Sequence, residues 1–271
     1  MRIVLLSAAA VALSGCSWLG LGGNSGSYGH DIGTYKASHA GGQNNGCCEL
    51  SRWNVEGGVG KEIIRGPSFI NRSGANDIPG VVPNTVSASR AFDDATRYEW
   101  GGSYALNPNR KVSLIGHHVK ADGNNIALGT APSGNVLRGD LSDYEAWGAE
   151  IGLRQYALPI KAPLINSFRP YVEGRVGATH VDDIGISGVN STNFTQAGLY
   201  ESGWVPTGAG LMGVETPVFD RFTMGVETGI RYEGKLKSDT STLSPGRGLA
   251  GINNGGDRWS IPVTLRGRYR F

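Results

Sequence analysis

The sequence lacks a hydrophobic run long enough for a transmembrane helix, and it lacks an excess of charge of one sign. The longest apolar stretch, Ile3 to Leu13, is interrupted by one serine and is well short of the roughly 20 residues that a helix needs to span a bilayer. The formal net charge is +2 at pH 7, which excludes strong electrostatic attraction to nucleic acid. Glycine is abundant, at 43 of 271 residues, but without the strict period of collagen. A membrane protein of this composition is either peripheral or a β-barrel.

Motifs of catalysis and of metal binding are also lacking. No HxS, GxSxG or HExxH pattern occurs in the chain. A loose set of catalytic residue types remains: His180, Asp182, Asp183, Ser142 and Ser202. His117 and His118 are adjacent, so on a strand they face opposite ways and cannot form one metal site alone. We therefore expect no enzyme, no cofactor and no metal site.

The clearest positive signal is strict alternation at the C-terminus. One face of this segment carries Trp259, Ile261, Val263, Leu265, Gly267, Tyr269 and Phe271. The other face carries Ser260, Pro262, Thr264, Arg266, Arg268 and Arg270. A period of two predicts a strand, and apolar-out, polar-in alternation is typical of a membrane barrel, although an edge strand of a soluble sandwich also alternates. The ending resembles the C-terminal strand of bacterial outer-membrane barrels, which implies that Tyr269 and Phe271 form an assembly signal.

The N-terminus has the pattern of an export signal. Ile3 to Leu13 fits the hydrophobic region of a secretory signal peptide, and Leu13-Ser14-Gly15-Cys16 resembles the lipobox of bacterial lipoproteins. That resemblance implies cleavage of residues 1–15 and acylation of Cys16, for example with palmitate. Ser17, in place of Asp, then favours sorting to the outer membrane. The alternative is an ordinary signal peptide with a chance cysteine.

Residues 16–48 read as a lipidated, flexible periplasmic linker. The segment is rich in glycine and asparagine and ends at Cys47 and Cys48. A disulfide between adjacent cysteines would be strained, because their Cα atoms lie nearer than the usual disulfide range. In an oxidising periplasm we expect a bond nonetheless, either between Cys47 and Cys48 or to a partner protein.

Residues 49–271 contain eight candidate strands. They lie at about 51–65, 93–107, 110–121, 143–158, 167–181, 201–217, 221–236 and 257–271. In the third and sixth candidates the alternation of apolar and polar residues is irregular. Short turns near 108 and 218 alternate with long links at about 66–92, 122–142, 182–200 and 237–256, whose small polar residues predict loops. Short turns at one end and long loops at the other are typical of outer-membrane barrels, with the long loops extracellular. The first loop, with Arg65, Phe69, Ile70, Arg72 and Arg90, is our candidate for partner recognition.

Aromatic residues near the predicted strand ends favour two interface girdles. The lower girdle comprises Trp53, Tyr104, Tyr156, Tyr171, Phe219, Phe222, Tyr269 and Phe271. The upper girdle comprises Tyr98, Tyr144, Trp204, Tyr232 and Trp259.

Charged residues of the inward parity predict what fills the barrel. A carboxylate follows an outward valine repeatedly, as in Val55-Glu56 and Val226-Glu227. Eight strands enclose a space just wide enough for side chains, and unpaired buried ions are costly, so these groups should pair. The predicted lumen network is Glu56, Glu99, Glu150, Glu173, Glu227, Arg97, Arg154, Arg175, Arg231, Arg266 and Arg268, with Glu215 and Arg270 on the same parity. The alternative is a selective charged pore or a proton path.

Taken together, these features predict an all-β protein, an eight-stranded antiparallel up-and-down transmembrane β-barrel. The chain resembles bacterial outer-membrane lipoproteins with a small OmpA-like or opacity-type barrel. That resemblance implies a structural or surface-interaction role in the outer membrane, anchored by lipid on Cys16. The implied partners are outer-membrane lipid and lipopolysaccharide, the barrel-assembly and lipoprotein-sorting machineries and an unknown surface or periplasmic protein, with no nucleic acid. A small diffusion pore and a lipid A-modifying enzyme are the alternatives.

Overall fold

The computed structural model describes residues 52–66, 68–71, 82–131, 133–162, 165–190, 196–239, 252–253, 255 and 257–271. The predicted signal peptide at 1–15, the linker at 16–48, Cys16, Cys47 and Cys48 lie outside the described residues. Arg72 of the first long link also lies outside them.

The described chain is almost entirely β-structure, with one short helix. The elements are β1 (Trp53–Arg65), β2 (Ser68–Ile70), β3 (Val82–Pro83), β4 (Val86–Ser87), α1 (Ala88–Ala91), β5 (Ala95–Asn107), β6 (Arg110–Ala121), β7 (Asn125–Thr130), β8 (Val136–Leu141), β9 (Tyr144–Tyr156), β10 (Ile160–Ala162), β11 (Ile165–Val181), β12 (Ile184–Ser187), β13 (Ala197–Glu201), β14 (Gly203–Phe219), β15 (Phe222–Glu233), β16 (Lys237–Ser238) and β17 (Arg258–Arg270). No helix in the described part of the chain is long and apolar enough to cross a membrane.

Eight of these strands form a closed antiparallel barrel. In order around the wall they are β1, β5, β6, β9, β11, β14, β15 and β17, and β17 pairs again with β1. The closing seam runs from Asn54 opposite Arg270 to Arg65 opposite Trp259. The predicted fold class is therefore confirmed, and the predicted strand ends differ from the observed ones by three residues at most.

The two faces of the barrel wall have opposite character. Apolar side chains on the outer face are exposed, with Ile151 at 60%, Met212 at 61% and Val176 at 69%. The inner face instead buries glutamates and arginines. A soluble protein rarely exposes a continuous apolar band, whereas a lipid-facing barrel requires one. The wall is that of a membrane-spanning barrel.

Aromatic rings border this band at both ends, but three of the predicted girdle residues do not. Trp53 packs against Tyr104 with ring centroids 4.9 Å apart at the short-turn end, and Tyr232 packs against Trp259 at 5.0 Å at the other. From Trp259 to Tyr269 a tilted strand rises roughly 25 Å, the height expected of the apolar band. The prediction was wrong for three buried tyrosines, which share the inward parity of the charged residues: Tyr144, Tyr156 and Tyr171.

Much of the described part of the long links is folded into strands, so the prediction that these links are loops was wrong there. Strands β3, β7, β8, β12, β13 and β16 form a second sheet beyond the barrel, while β2 pairs with β4. We call this folded assembly, together with α1, the cap. Apolar side chains of the first link, including Phe69, Ile70 and Phe92, pack in one buried cluster with Leu128 and Leu199 of the second sheet. The cap strands escaped recognition because each of them has six residues or fewer.

Two prolines inside barrel strands interrupt the ladder locally without shifting the register. Pro206 faces outward, and the ladder of β14 with β15 begins one residue later, at Thr207 opposite Glu233. Pro262 lies opposite Glu62, and the ladder of β17 with β15 lapses between Thr228 and Arg231. Proline has no N–H to donate, which accounts for both gaps.

Candidate functional site

The lumen of the barrel is filled by charged side chains. All eleven residues of the predicted network lie in it, and each is exposed by 5% or less. They come from six strands of the barrel; β14 adds Glu215, and β6 adds His117 and Lys111. Charges buried at this density are stable only when they are paired and hydrogen-bonded, so the contacts of each group define what the lumen can do.

Arg175 lies at the centre of the network. Its Nη1 is 3.1 Å from Oε1 of Glu99, its Nε is 3.0 Å from Oε1 of Glu173, and its Nη2 is 3.0 Å from Oε1 of Glu227. Arg266 also contacts Glu99 and Glu227. The planar guanidinium, with its five donors, can join several carboxylates in this way, which a lysine could not.

A second group of contacts lies towards the short-turn end. Arg154 Nη2 is 2.9 Å from Glu56 Oε2 and 2.8 Å from Glu173 Oε2. Ser103 donates a hydrogen bond of 2.6 Å to Glu56, and Ser113 donates one of 2.8 Å to Glu173. Each carboxylate therefore has both an ionic and a neutral partner.

Aromatic rings complete this lower group. The guanidinium of Arg154 lies 4.6 Å from the ring centre of Tyr171, and that of Arg169 lies 4.6 Å from the ring centre of Tyr156. Arg268 donates a hydrogen bond of 2.6 Å to the Tyr156 hydroxyl and pairs with Glu215 at 3.0 Å. The tyrosines solvate the arginines with both ring and hydroxyl, which explains their inward direction.

A third group lies towards the cap. Arg97 pairs with Glu62 at 3.4 Å and with Glu99 at 2.8 Å, while Arg231 pairs with Glu150. Arg258 donates to Glu233 at 2.6 Å and lies 4.3 Å from the ring centre of Tyr144. The ion pairs thus extend through the lumen from the lower tyrosines to the cap.

Sequence reasoning missed several members of this network. Glu62, Arg258, the two serines and the three tyrosines were not assigned to it. Parity alone would have found Glu62, six residues after Glu56 on the same strand. The tyrosines were assigned to the aromatic girdle because they lie near strand ends. Their alternation with outward residues, which places them on the inner face, was the better guide.

The absence of a side chain at Gly152 leaves room for the carboxylate of Glu173. Gly152 lies on the inner face of β9, and a Cβ atom there would approach Oε1 of Glu173 to 2.6 Å. A side chain at position 152 would therefore displace the Glu173 carboxylate from its present position.

The three described histidines have separate surroundings and do not form one site. His117 faces the lumen with Nε2 2.9 Å from Thr179 Oγ1, whereas His118 faces outward with Nε2 2.9 Å from Glu145. His180 lies on the outer wall, with its ring centre 5.4 Å from those of both Trp147 and Trp204.

The serines and acids of the loose catalytic set are placed elsewhere. Ser142 accepts the N–H of Gly185, and the carboxylate near His180 is Asp182, at 3.5 Å. Among the described residues no group of three or more metal-ligating side chains occurs.

The cap covers the end of the lumen opposite the short turns. Phe69 and Ile70, which we had proposed for partner recognition, are buried in its core, at 4% and 0% exposure, so that assignment was wrong for them. The Tyr200 hydroxyl donates to the carbonyl of Phe69 and accepts the N–H of Gly255 at 3.2 Å. Burial raises the pKa of Tyr200 to about 12. These contacts hold Phe69 in the core of the cap.

No family model matches the chain, and no curated protein matches it. Among solved structures, AlkL in lipid bilayers is 12% identical, with a TM-score of 0.47, covering 85% of this chain and 96% of that one. Neisserial surface protein A is 12% identical, with a TM-score of 0.46, covering 82% and 99%. OprG of Pseudomonas aeruginosa is 14% identical, with a TM-score of 0.40, covering 82% and 97%. The pairing of β17 with β1, together with an apolar outer face and a charged inner face, defines the membrane barrel.

Proposed function

We propose that the protein is a bacterial outer-membrane barrel that is closed to transport and presents the cap at the cell surface. Its role is structural or in surface interaction. A membrane wall made of strands must close on itself, because open strand edges are not tolerated in lipid, and outer membranes are where such barrels occur. The apolar band between two aromatic borders supports this location.

The observation that carries the proposal is the double closure of the lumen. Seven buried arginines pair with buried glutamates along the inner wall, and the apolar core of the cap covers one end. A diffusion pore would need water where these side chains pack. An enzyme would need a base and a nucleophile that a substrate can reach, whereas the described histidine that contacts a hydroxyl, His117 with Thr179, is fully buried in the lumen.

The orientation and the anchor belong to the same proposal. Strand β1 begins at the short-turn end, so a linker that precedes it would emerge there. Acylation of Cys16 would precede transfer of the protein across the periplasm to the outer membrane. The end of the barrel that carries the lipidated linker would therefore face the periplasm, and the cap would face the outside of the cell. Tyr269 is exposed on the outer wall, 5.6 Å from the ring of Phe271, where the barrel-assembly machinery can reach it, while the lipoprotein-sorting machinery would act on the acylated Cys16.

Recognition of a partner is assigned to the surface of the cap. Arg65 and Arg90 are exposed and remain candidates from the first link. Outer-membrane lipid and lipopolysaccharide would contact the wall and its upper aromatic border.

Fractionation with gel heat-shift analysis tests the proposal. The protein should be found in the outer-membrane fraction, and the unheated sample should migrate faster than the boiled sample, because a folded barrel resists detergent. A soluble protein, or one without a mobility shift, would overturn the proposal.

A further inference from the structure

Strand β1 carries two basic side chains on its outward face near the cap. Lys61 and Arg65 continue the exposed alternation that begins at Trp53, and both are exposed. Glu62, which lies between them in the sequence, is buried in the lumen. At about 3.3 Å per residue, the two cations are separated by about 13 Å along the strand.

The strand pairing places both side chains at the level of the upper aromatic border. Arg65 lies opposite Trp259, which is a ring of that border. Lys61 lies opposite Thr96, and the next outward residue of β5 towards the short turns is Tyr98, which is 50% exposed. Border aromatics lie among lipid headgroups, and long basic side chains beside them extend into the same layer. Lys61 and Arg65 are therefore within reach of headgroup phosphates.

The hydrogen bonds of these two cations are to neutral groups. Lys61 Nζ donates a hydrogen bond of 3.1 Å to Thr96 Oγ1. Arg65 Nη1 donates one of 3.2 Å to the carbonyl of Ile64. Neither cation forms a salt bridge with any residue that the structure describes. Both charges therefore remain available to an anion in the lipid layer.

Two carboxylates lie in the same part of the border. Asp257 accepts a hydrogen bond from the Tyr232 hydroxyl. Asp94 is exposed and comes two residues before Thr96, which places it on the outward side. Asp94 is therefore the group whose neutralisation should strengthen the attraction of an anion to this site.

The matching lysine of β6 differs in its partner. Lys120 lies opposite Thr96 on the other side of β5, in the same row of paired residues as Lys61, but it pairs with Asp143 at 3.1 Å. A cation that already has a carboxylate partner attracts a phosphate less than one bonded to a hydroxyl. In this row, the lysine that can hold a lipid phosphate is therefore Lys61.

We propose that Lys61 and Arg65 bind the two phosphates of a phosphorylated disaccharide headgroup, as in lipid A, in the leaflet at the cap end. This inference rests on the proposed insertion of the barrel in an outer membrane. The planar guanidinium of Arg65 fits a phosphate in bidentate fashion, and the ammonium of Lys61 acts as a point charge. With both side chains extended towards the lipid, a headgroup with one phosphate reaches one cation, whereas a disaccharide with a phosphate at each end reaches both.

Native mass spectrometry of the full-length protein in detergent measures this binding. Lipid A with two phosphates, lipid A without phosphate and phosphatidylglycerol are titrated separately. For the wild type we expect the bisphosphorylated form to bind at least about threefold more tightly than either of the other two. Lys61→Gln/Arg65→Gln should lose most of this preference, and Asp94→Asn should bind the bisphosphorylated form more tightly than the wild type.

Lys120→Gln is the matched control. It removes one outward positive charge from the same row, but that charge is already paired with Asp143, so the wild-type preference should remain. Equal loss in Lys120→Gln and in Lys61→Gln/Arg65→Gln would overturn the site. So would equal binding of phosphatidylglycerol and bisphosphorylated lipid A by the wild type. A heat-shift on the same samples separates the two claims: a folded barrel without the preference refutes the site alone, whereas a protein without a heat-shift refutes the proposed barrel.

Discussion

Arg154 and Glu56 join opposite parts of the barrel wall. Nη2 of Arg154 lies 2.9 Å from Oε2 of Glu56, and Nη1 donates to Oε1 at 3.4 Å, although β9 and β1 are separated by two strands. The pair therefore crosses the lumen. Glu173 and Arg266 extend it to further strands, so loss of one charge affects several partners.

Replacement of Glu56 by leucine should destabilise the barrel. The change leaves Arg154 with one ionic partner fewer in a buried site, and we expect a loss of about 3–5 kcal/mol in the free energy of unfolding. Urea unfolding in lipid vesicles, or the temperature of the gel heat-shift, measures it. Glu145→Leu, which removes a half-exposed pair with His118, should cost about 1 kcal/mol or less.

The double variant Glu56→Leu/Arg154→Leu tests the contact itself. If the two charges interact, the double variant loses less stability than the sum of the single changes. Strict additivity would mean that the contact contributes nothing.

Single cysteines should reveal the orientation. Val136 is 44% exposed at the β7–β8 hairpin of the cap, and Leu158 is 83% exposed in a short turn. In a background with Cys47 and Cys48 replaced by serine, Val136→Cys should react with a membrane-impermeant maleimide on intact cells. Leu158→Cys should react only after the outer membrane is opened. The reverse pattern would place the cap in the periplasm.

Acylation of Cys16 should be visible by metabolic labelling. A fatty-acid probe should mark the wild-type protein and leave Cys16→Ser unmarked, because the sulfur is the attachment point. The variant should still reach the outer membrane in part, since acyl chains anchor more weakly than a spanning barrel. Equal labelling of both proteins would refute the lipid anchor.

The cap should lose stability in strong alkali through Tyr200. Its folded-state pKa of about 12 exceeds the ordinary value of 10, so the neutral hydroxyl stabilises the cap fully below about pH 10. That contribution decreases as the pH rises from 10 towards 12. Protease resistance of the cap, measured against pH, should fall over this range.

Tyr200→Phe is the control for that experiment. The variant should be less stable by about 1 kcal/mol at neutral pH, because two hydrogen bonds are lost, and its alkaline decrease should be smaller. An unchanged pH profile would assign the decrease to another group.

The sequence predicted the barrel because lipid and lumen impose alternation on every strand. It phased β6 poorly because Ile115 and Val119 are inward and apolar, and Val119 already belongs to the buried cluster that continues into the cap. Glycines 208 and 210 similarly weaken the pattern in β14. The cap itself could not be predicted, since its strands are short and its core joins residues as distant as Phe69 and Tyr200.

Conductance of the wild-type protein in planar bilayers tests the closed lumen most directly. The purified full-length protein, shown to be folded by its heat-shift, should give no steady channel, whereas a general porin under the same conditions should conduct. Glu56→Leu should conduct more than the wild type if the ion pairs close the path. A steady, large conductance in the wild-type protein would contradict a lumen closed by paired charges.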